Sequence, residues 1–480
     1  MRELIPIRIV LGIYDTHSFT VEIIDQISND PVDHDGYLHW DIQRIFEGLK
    51  QGLQKAYRRY GKIDTVGVTT WGIDFGMLDE QGELIADPLC YRNTLGSSVL
   101  TALSPQQLLL NWEHNGIQNH PMNSLYQLLG IREKLPERFE KTHDVLFIPD
   151  LLIYLFTGEK KTERSIVSTS QMYTAIEDGY SDKIFEEYDI PQSWMPPIEK
   201  HGKCIGWLKS ELAEELNIAP CPFICTPSHD TASAVTAMPT DKHDQLFISS
   251  GTWSLIGAEL TYPIISPSVE NYRFANEAGV LGTTTLLKNS TGLYLLQEMK
   301  KYCEEEGHHM SWDEISQIAE SSGMNVPVFD PNHSEIFSTR NMYQTLSRLT
   351  KTPDWKVLLA SCYLSLTLCY QKAINELQQV TVKKFDEIFI IGGGTRDEYL
   401  NQLTADITGL PVHVGPIEAA SIGNLASQLL YMYPEMNLDS IRQAVINSTN
   451  DERRSYAPQE KDNELIRLKI DEYKHIIQHQ

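Results

Sequence analysis

Ile42, Ile45, Phe46, Leu49, Leu53 and Ala56 recur at helical spacing with charged and polar residues between them. That period predicts an amphipathic helix over 41–59, capped by Asp41 and stopped at Gly61. The apolar run 63–68 reads as a strand, and 75–84 as a hairpin turning at Glu80-Gln81-Gly82. Residues 97–202 are mostly helical in pattern, with proline-rich connections at Pro191 and Pro196-Pro197. A further apolar run closes at Ser228-His229-Asp230-Thr231-Ala232-Ser233, which opens an Ala-rich helix.

From Leu246 the pattern changes. An apolar strand runs into Ser249-Ser250-Gly251-Thr252 and returns as a second strand over 255–260. A long helix over 354–379 follows, then a strand at 387–391 and the triplet Gly392-Gly393-Gly394. A polar helix start at Asp397, a strand at 412–414 and a helix over 418–431 complete the series. Strands alternating with helices predict an α/β fold, and 480 residues exceed the size at which one core keeps growing, so two domains are expected.

Charge narrows the partners. Forty Lys plus Arg against 65 Asp plus Glu give a net charge of −25, which repels polyanions and leaves no basic stripe for nucleic acid. A nucleotide held through Mg²⁺ and backbone amides remains compatible. The start, Met1-Arg2-Glu3-Leu4-Ile5-Pro6, carries no export-signal pattern, which points to the cytoplasm. The most apolar stretch, 357–369, contains Ser361, Ser365 and Thr367 and is shorter than the roughly 20 residues of a spanning helix, so it reads as core and no membrane is expected. The 7 cysteines are scattered, with no second pair to complete a zinc site, and read as reduced.

Candidate chemistry lies in two places. The Ser/Gly/Thr turn at 249–252 offers N–H groups and hydroxyls to an anion, and also reads as an ordinary hairpin turn. Asp230 stands at a strand-to-helix junction, where a carboxylate could face a cleft, and also reads with His229 as an N-cap pair. Together, an anion cradle and a candidate base suggest phosphoryl transfer. The glycine triplet is weak alone, since it has neither GxGxxG spacing nor the Walker Gly-Lys-Ser/Thr.

Several segments in order resemble the rhamnulokinase group of the FGGY carbohydrate kinases. They are Trp71-Gly72-Ile73-Asp74-Phe75, 228–235, Ser249-Ser250-Gly251-Thr252-Trp253-Ser254, Leu287-Lys288-Asn289, Leu295-Leu296-Gln297, and Gly392-Gly393-Gly394 through Leu400-Asn401-Gln402-Leu403. The resemblance runs from about Arg8 to the end of the chain. It implies two actin-like, ribonuclease H-like domains around a central cleft, 1–243 binding mainly the sugar and 244–480 mainly ATP. By the same resemblance Asp230 is the base that takes the proton from the sugar's terminal hydroxyl as its oxygen attacks the γ-phosphate of MgATP. Gly72, His229, Thr231 and Asn289 would touch the ketose, and Thr252, Gln297, Gly393 and Arg8 the nucleotide. Taken alone, Asn289 and Gln297 read as a buried amide or a solvated helix residue, and Gly72 as a simple turn. The implied acceptor is a 6-deoxyketohexose, with L-rhamnulose favoured over L-fuculose.

The resemblance fails at the start. The family opens with a strand and a turn carrying Asp-x-Gly-Ala-Ser-Ser-Gly-Arg, of which only the final Arg is matched, by Arg8. Residues 1–7 contain no Asp, Gly or Ser. They are too few for a strand of about 5 or 6 residues plus a turn. The expectation is a missing central strand, with a gap spaced about 4.8 Å on each side and unpaired backbone groups. Thr69 stands where these kinases carry Asp, and Arg92-Asn93-Thr94-Leu95 replaces Arg-Asp-x-Arg. Three explanations compete: a true start upstream of Met1, which is favoured, a rebuilt phosphate loop, or a catalytically weakened sugar- or nucleotide-binding relative.

Overall fold

Asp41 caps the helix Ile42–Tyr60 by accepting from the backbone N–H of Arg44 at 2.9 Å, and Gly61 ends it in the left-handed region at φ 76°. Its inner face buries Ile42, Ile45, Leu53 and Ala56, the apolar stripe of the sequence pattern. The computed structural model describes residues 6–339, 341–459 and 463–479. The chain divides into two compact units. The first comprises Met1–Asp241, Leu260–Leu286 and Ala420–Ser448, and the second Lys242–Glu259, Leu287–Ala419 and Thr449–Gln480.

In the first unit, strand Ile7–Tyr14 pairs antiparallel with Phe19–Ile27, and among the described residues this ribbon joins no further strand. The expectation about the opening strand and turn concerns 1–7, of which 1–5 lie outside the described residues. Gly52 lets the helix approach the ribbon closely, since a Cβ there would lie 2.6 Å from Ile9.

The expected strand at 63–68 is extended backbone with isolated bridges instead. Val66 pairs with Phe223 and Thr70 with His229, both parallel. Thr65 and Thr69, beside these bridges, are held by side chains of the helix Ala419–Met432 rather than by a ladder. Thr65 Oγ1 donates to Gln428 Oε1 at 2.6 Å, and Asn424 Nδ2 donates to Thr69 Oγ1 at 2.7 Å. Gly67 admits this, because a Cβ there would sit 2.3 Å from Asn424 Oδ1. The turn at 80–82 forms, with Gly82 at φ 82° donating to Asp79 O, but Leu84 returns only as a single bridge. The full partner of strand Phe75–Leu78 is Asp144–Phe147, and their buried face packs with Leu125, Leu128, Ile166 and Val167.

The second unit is built on a sheet that runs from the strand ending at Thr291 through Trp253–Leu260, Leu246–Ser250, Ile388–Ile391 and Val412–Val414 to Arg454–Tyr456. Leu246–Ser250 and Trp253–Leu260 form the expected hairpin, with Ser250 opposite Ser254. Ile388–Ile391 runs parallel to the first of these strands. The helix Trp355–Thr381 is capped by Asp354 and spans 27 residues. It is long and apolar enough to cross a membrane by length and composition, but its most apolar window is 83% buried inside the protein, as in a core helix. All the cysteines are free thiols.

Candidate active site

Asp230 begins the helix Asp230–Thr236 at the end of an extended segment fixed from one side. Thr70 N donates to Ser228 O and Asp230 N to Thr70 O, each at 2.9 Å. The other end is tied by buried Arg442, which donates to Val235 O at 3.2 Å. Ser233 Oγ donates to Ala420 O at 2.7 Å, so the helix Ala419–Met432 packs directly against it. With both ends held, the Asp230 carboxylate projects with 51% of its side chain exposed. A carboxylate so placed accepts a proton from an incoming hydroxyl.

Its neighbours are the residues the sequence singled out. Thr231 Oγ1 donates to Asp230 Oδ1 at 3.2 Å, and His229 Nε2 lies 3.4 Å from the same oxygen. His229 Nδ1 lies 3.3 Å from Oε2 of Glu277. Burial pulls the imidazole's pKa down, but Glu277, then Asp230 and Glu163, outweigh it and raise it to about 9. Gly72 completes the group, because a Cβ there would stand 3.2 Å from His229 Nε2 and 3.1 Å from Thr169 Oγ1. Gly72, His229, Asp230 and Thr231 are therefore one constellation in the first unit.

Two buried carboxylates support it, and neither stood out as a candidate from sequence. Asp74 is fully buried and accepts from Trp40 Nε1 at 2.6 Å, Gln127 Nε2 at 3.0 Å, Trp71 Nε1 at 3.0 Å and Tyr91 N at 3.2 Å. Burial outweighs these donors and pushes its pKa up to about 6. Glu163 accepts from Ser228 N at 3.0 Å, Ser228 Oγ at 2.9 Å, Ser165 N at 2.8 Å and Ser165 Oγ. It also meets His201 Nε2 at 2.6 Å, and the other ring nitrogen, Nδ1, lies 3.0 Å from Leu281 N. Burial alone would raise the Glu163 pKa, but His201 and the serine donors bring it to about 2. Asp74 at least lay inside a quoted motif, whereas Glu163 carries no local signal.

The two sequence departures have structural roles here. Thr69 Oγ1 donates to Pro227 O at 2.9 Å while accepting from Asn424, bracing the segment before Asp230. Asn93 Nδ2 donates to Leu38 O at 2.7 Å and Cys90 O at 2.9 Å, so it pins backbone.

Thr252, Gln297 and Gly393 gather at one end of the second unit's sheet. Thr252 sits in the hairpin turn, where Gly292 N donates to Thr252 O at 3.2 Å and Leu293 N to Gly251 O at 2.8 Å. These bonds lead into the helix Tyr294–Glu305, whose first turns carry exposed Gln297. The parallel pairing of Ser249 with Ile391 brings the glycine triplet alongside, with a Cβ on Gly394 only 2.0 Å from Ser250 Oγ. At Gly393 the nearest atom to an added Cβ is Ser250 O at 4.0 Å, so that backbone is open to a ligand, which fits a nucleotide phosphate. Asn289 is exposed in the second unit, not in the first with His229. Arg8 is in the first unit, on Ile7–Tyr14 opposite Gln26. Among the described residues no group of three or more His, Cys, Asp or Glu side chains could hold a metal.

Comparison with known proteins places these geometries in context. The model of the FGGY family of carbohydrate kinases, N-terminal domain, matches residues 17–237, and that of the C-terminal domain matches 246–431. The chain is 32% identical over 448 residues to "Rhamnulokinase" of Bacillus subtilis (strain 168), covering 92% of this chain and 91% of that protein. It is 30% identical over 463 residues to "Rhamnulokinase" of Bacteroides thetaiotaomicron, covering 94% of each. Among solved structures, ligand-bound xylulose kinase from Lactobacillus acidophilus superposes with a TM-score of 0.81 at 15% identity over 95% of this chain and 93% of that one. Plasmodium falciparum glycerol kinase with ADP gives 0.79 at 14% identity over 98% of both chains. These likenesses establish the actin-like, ribonuclease H-like fold.

Proposed function

This chain belongs to the FGGY family of carbohydrate kinases and is an ATP-dependent phosphotransferase with an alcohol group as acceptor, and we propose that its acceptor is L-rhamnulose, giving L-rhamnulose 1-phosphate. The observation that carries the substrate is the likeness, over nearly the whole chain, to relatives named rhamnulokinase. On this reading 1–243 binds mainly the sugar, 244–480 binds mainly ATP, and the enzyme works in the cytoplasm.

In the proposed reaction the terminal hydroxyl of the ketose gives its proton to Asp230 as its oxygen attacks the γ-phosphorus. The new O–P bond forms, the bond from that phosphorus to the β-phosphate oxygen breaks, and ADP departs. Phosphoryl transfer depends on positioning and charge stabilisation more than on covalent chemistry, which suits a carboxylate fixed at both ends of its helix. Gly72, His229, Thr231 and Asn289 bind the ketose. Thr252, Gln297, Gly393 and Arg8 bind the nucleotide. Mg²⁺ would offset charge on the phosphates when bound.

The test is sugar-dependent ADP release by the purified chain with L-rhamnulose, L-fuculose, D-xylulose and glycerol. The expected result is the highest kcat/KM with L-rhamnulose. A higher value with another acceptor overturns the substrate, and binding of sugar and ATP without turnover identifies a sensor built on the same fold.

A further inference from the structure

His229 stands between two carboxylates. Its Nε2 faces Asp230 Oδ1 at 3.4 Å and its Nδ1 faces Glu277 Oε2 at 3.3 Å. The backbone of His229 is fixed independently, because its N–H donates to Ser165 Oγ at 3.1 Å.

Glu277 is presented rigidly. It lies on the strand Ala275–Ala278, where alternate residues face opposite sides. Both of its neighbours are anchored. Asn276 N donates to Gly116 O at 2.9 Å, and Asn276 Nδ2 donates to Ile264 O at 2.9 Å. Ala278 N donates to Ser168 Oγ at 2.9 Å. Asn276 and Ala278 are buried, whereas Glu277 reaches the imidazole with 15% of its side chain exposed.

We propose that Glu277 is a positioning residue for phosphoryl transfer, anchoring the Nδ1 side of His229 so that the ring acts as an N–H donor on both nitrogens, with Nε2–H directed at Asp230 and at the ketose oxygen beside it. This rests on the sugar-kinase reading of Asp230 and extends it to a residue outside the substrate contacts. A ketose carbonyl only accepts hydrogen bonds, and a cationic donor makes about twice the bond of a neutral one. A neutral ring whose single proton was held by Glu277 would present a lone pair at Nε2 and repel both the carbonyl and Asp230. The acidic groups that bear on the ring are Glu277, Asp230 and, at longer range, Glu163. Gly72 and Thr169 bring no charge to it.

The experiment titrates ¹⁵N-labelled histidines of the full chain by NMR, with H229N to assign the resonance, in wild type, Glu277→Gln and Glu277→Asp. The expected result is a His229 midpoint lower by about one pH unit or more in Glu277→Gln, a tenfold loss of proton affinity, with partial recovery in Glu277→Asp. In parallel, the alkaline limb of kcat/KM for L-rhamnulose moves to lower pH in Glu277→Gln while the KM for ATP stays unchanged. A Glu277→Gln protein that titrates and turns over like wild type across pH overturns the proposal. Wild type that phosphorylates no ketose overturns the sugar-kinase reading instead, and the NMR arm still decides whether Glu277 governs His229.

Discussion

Glu163 accepts both the backbone N–H of Ser228 at 3.0 Å and its hydroxyl at 2.9 Å, so an acid only 2% exposed holds the segment that carries Asp230. Glu163→Gln replaces one acceptor oxygen with a donor facing the Ser165 and Ser228 donors. Breaking such a buried charged network costs about 3 kcal/mol. Urea unfolding of the variant at pH 7 should show a loss of that order, with kcat falling at least about tenfold as the Asp230 segment loosens.

The same residue sets an acid limit. Its carboxyl is held at about 2 in the folded protein against an ordinary 4.5, so the folded state favours the ionised form. The stabilisation is therefore full above pH 4.5 and disappears as pH falls toward 2, an effect on the order of 3 kcal/mol. Urea midpoints measured from pH 7 to pH 3 should fall for wild type, and more shallowly for Glu163→Gln.

Asp74 behaves in the opposite sense. Burial raises its carboxyl from 3.8 to about 6, so the folded state favours the protonated form and its contribution is lost as pH rises from 4 through 6. Asp74→Asn removes that dependence but turns an amide N–H₂ either toward Gln127 Nε2 or toward Trp40 Nε1, Trp71 Nε1 and Tyr91 N, where a carboxylate oxygen had accepted. Stability at pH 5 should drop by about 1 to 3 kcal/mol, read by denaturant titration.

Gly72→Ala places a methyl group 3.1 to 3.2 Å from Thr169 Oγ1 and His229 Nε2. Overpacking of this kind costs about 1 to 3 kcal/mol, which is about 5- to 160-fold in affinity. The KM for the ketose should rise by that factor while the KM for ATP stays within twofold of wild type, roughly the scale of an undisturbed site.

Gly394→Ala tests the other unit. The added Cβ would lie 2.0 Å from Ser250 Oγ, so the hairpin and the glycine triplet must separate. Calorimetry should find ADP binding weakened about tenfold or more, with recovery in Gly394→Ala/Ser250→Gly, where the obstructing side chain is gone.

Local signals explain what was legible in the sequence. Helix Ile42–Tyr60 was readable because Asp41, the apolar stripe and Gly61 are all within one helix. The hairpin at 246–260 and strand Val412–Val414 followed from apolar runs bounded by turns. Residues 63–68 misled because an apolar run does not say whether its neighbours are strands or the side chains of a helix some 360 residues later, as with Thr65 and Gln428. Glu163 and Glu277 were invisible for a related reason. Each acts on residues far along the chain, Glu163 on Ser228 and Glu277 on His229, and nothing in their flanking sequence encodes that meeting.

The most direct test is ³¹P NMR of the products that the purified chain makes from L-rhamnulose and MgATP, wild type against Asp230→Asn. The account predicts a sugar 1-phosphate resonance growing with ADP in wild type, and a rate lower by about 10²- to 10⁴-fold in the variant, with both substrates still bound. An Asp230→Asn protein that forms the phosphate ester at the wild-type rate would contradict it.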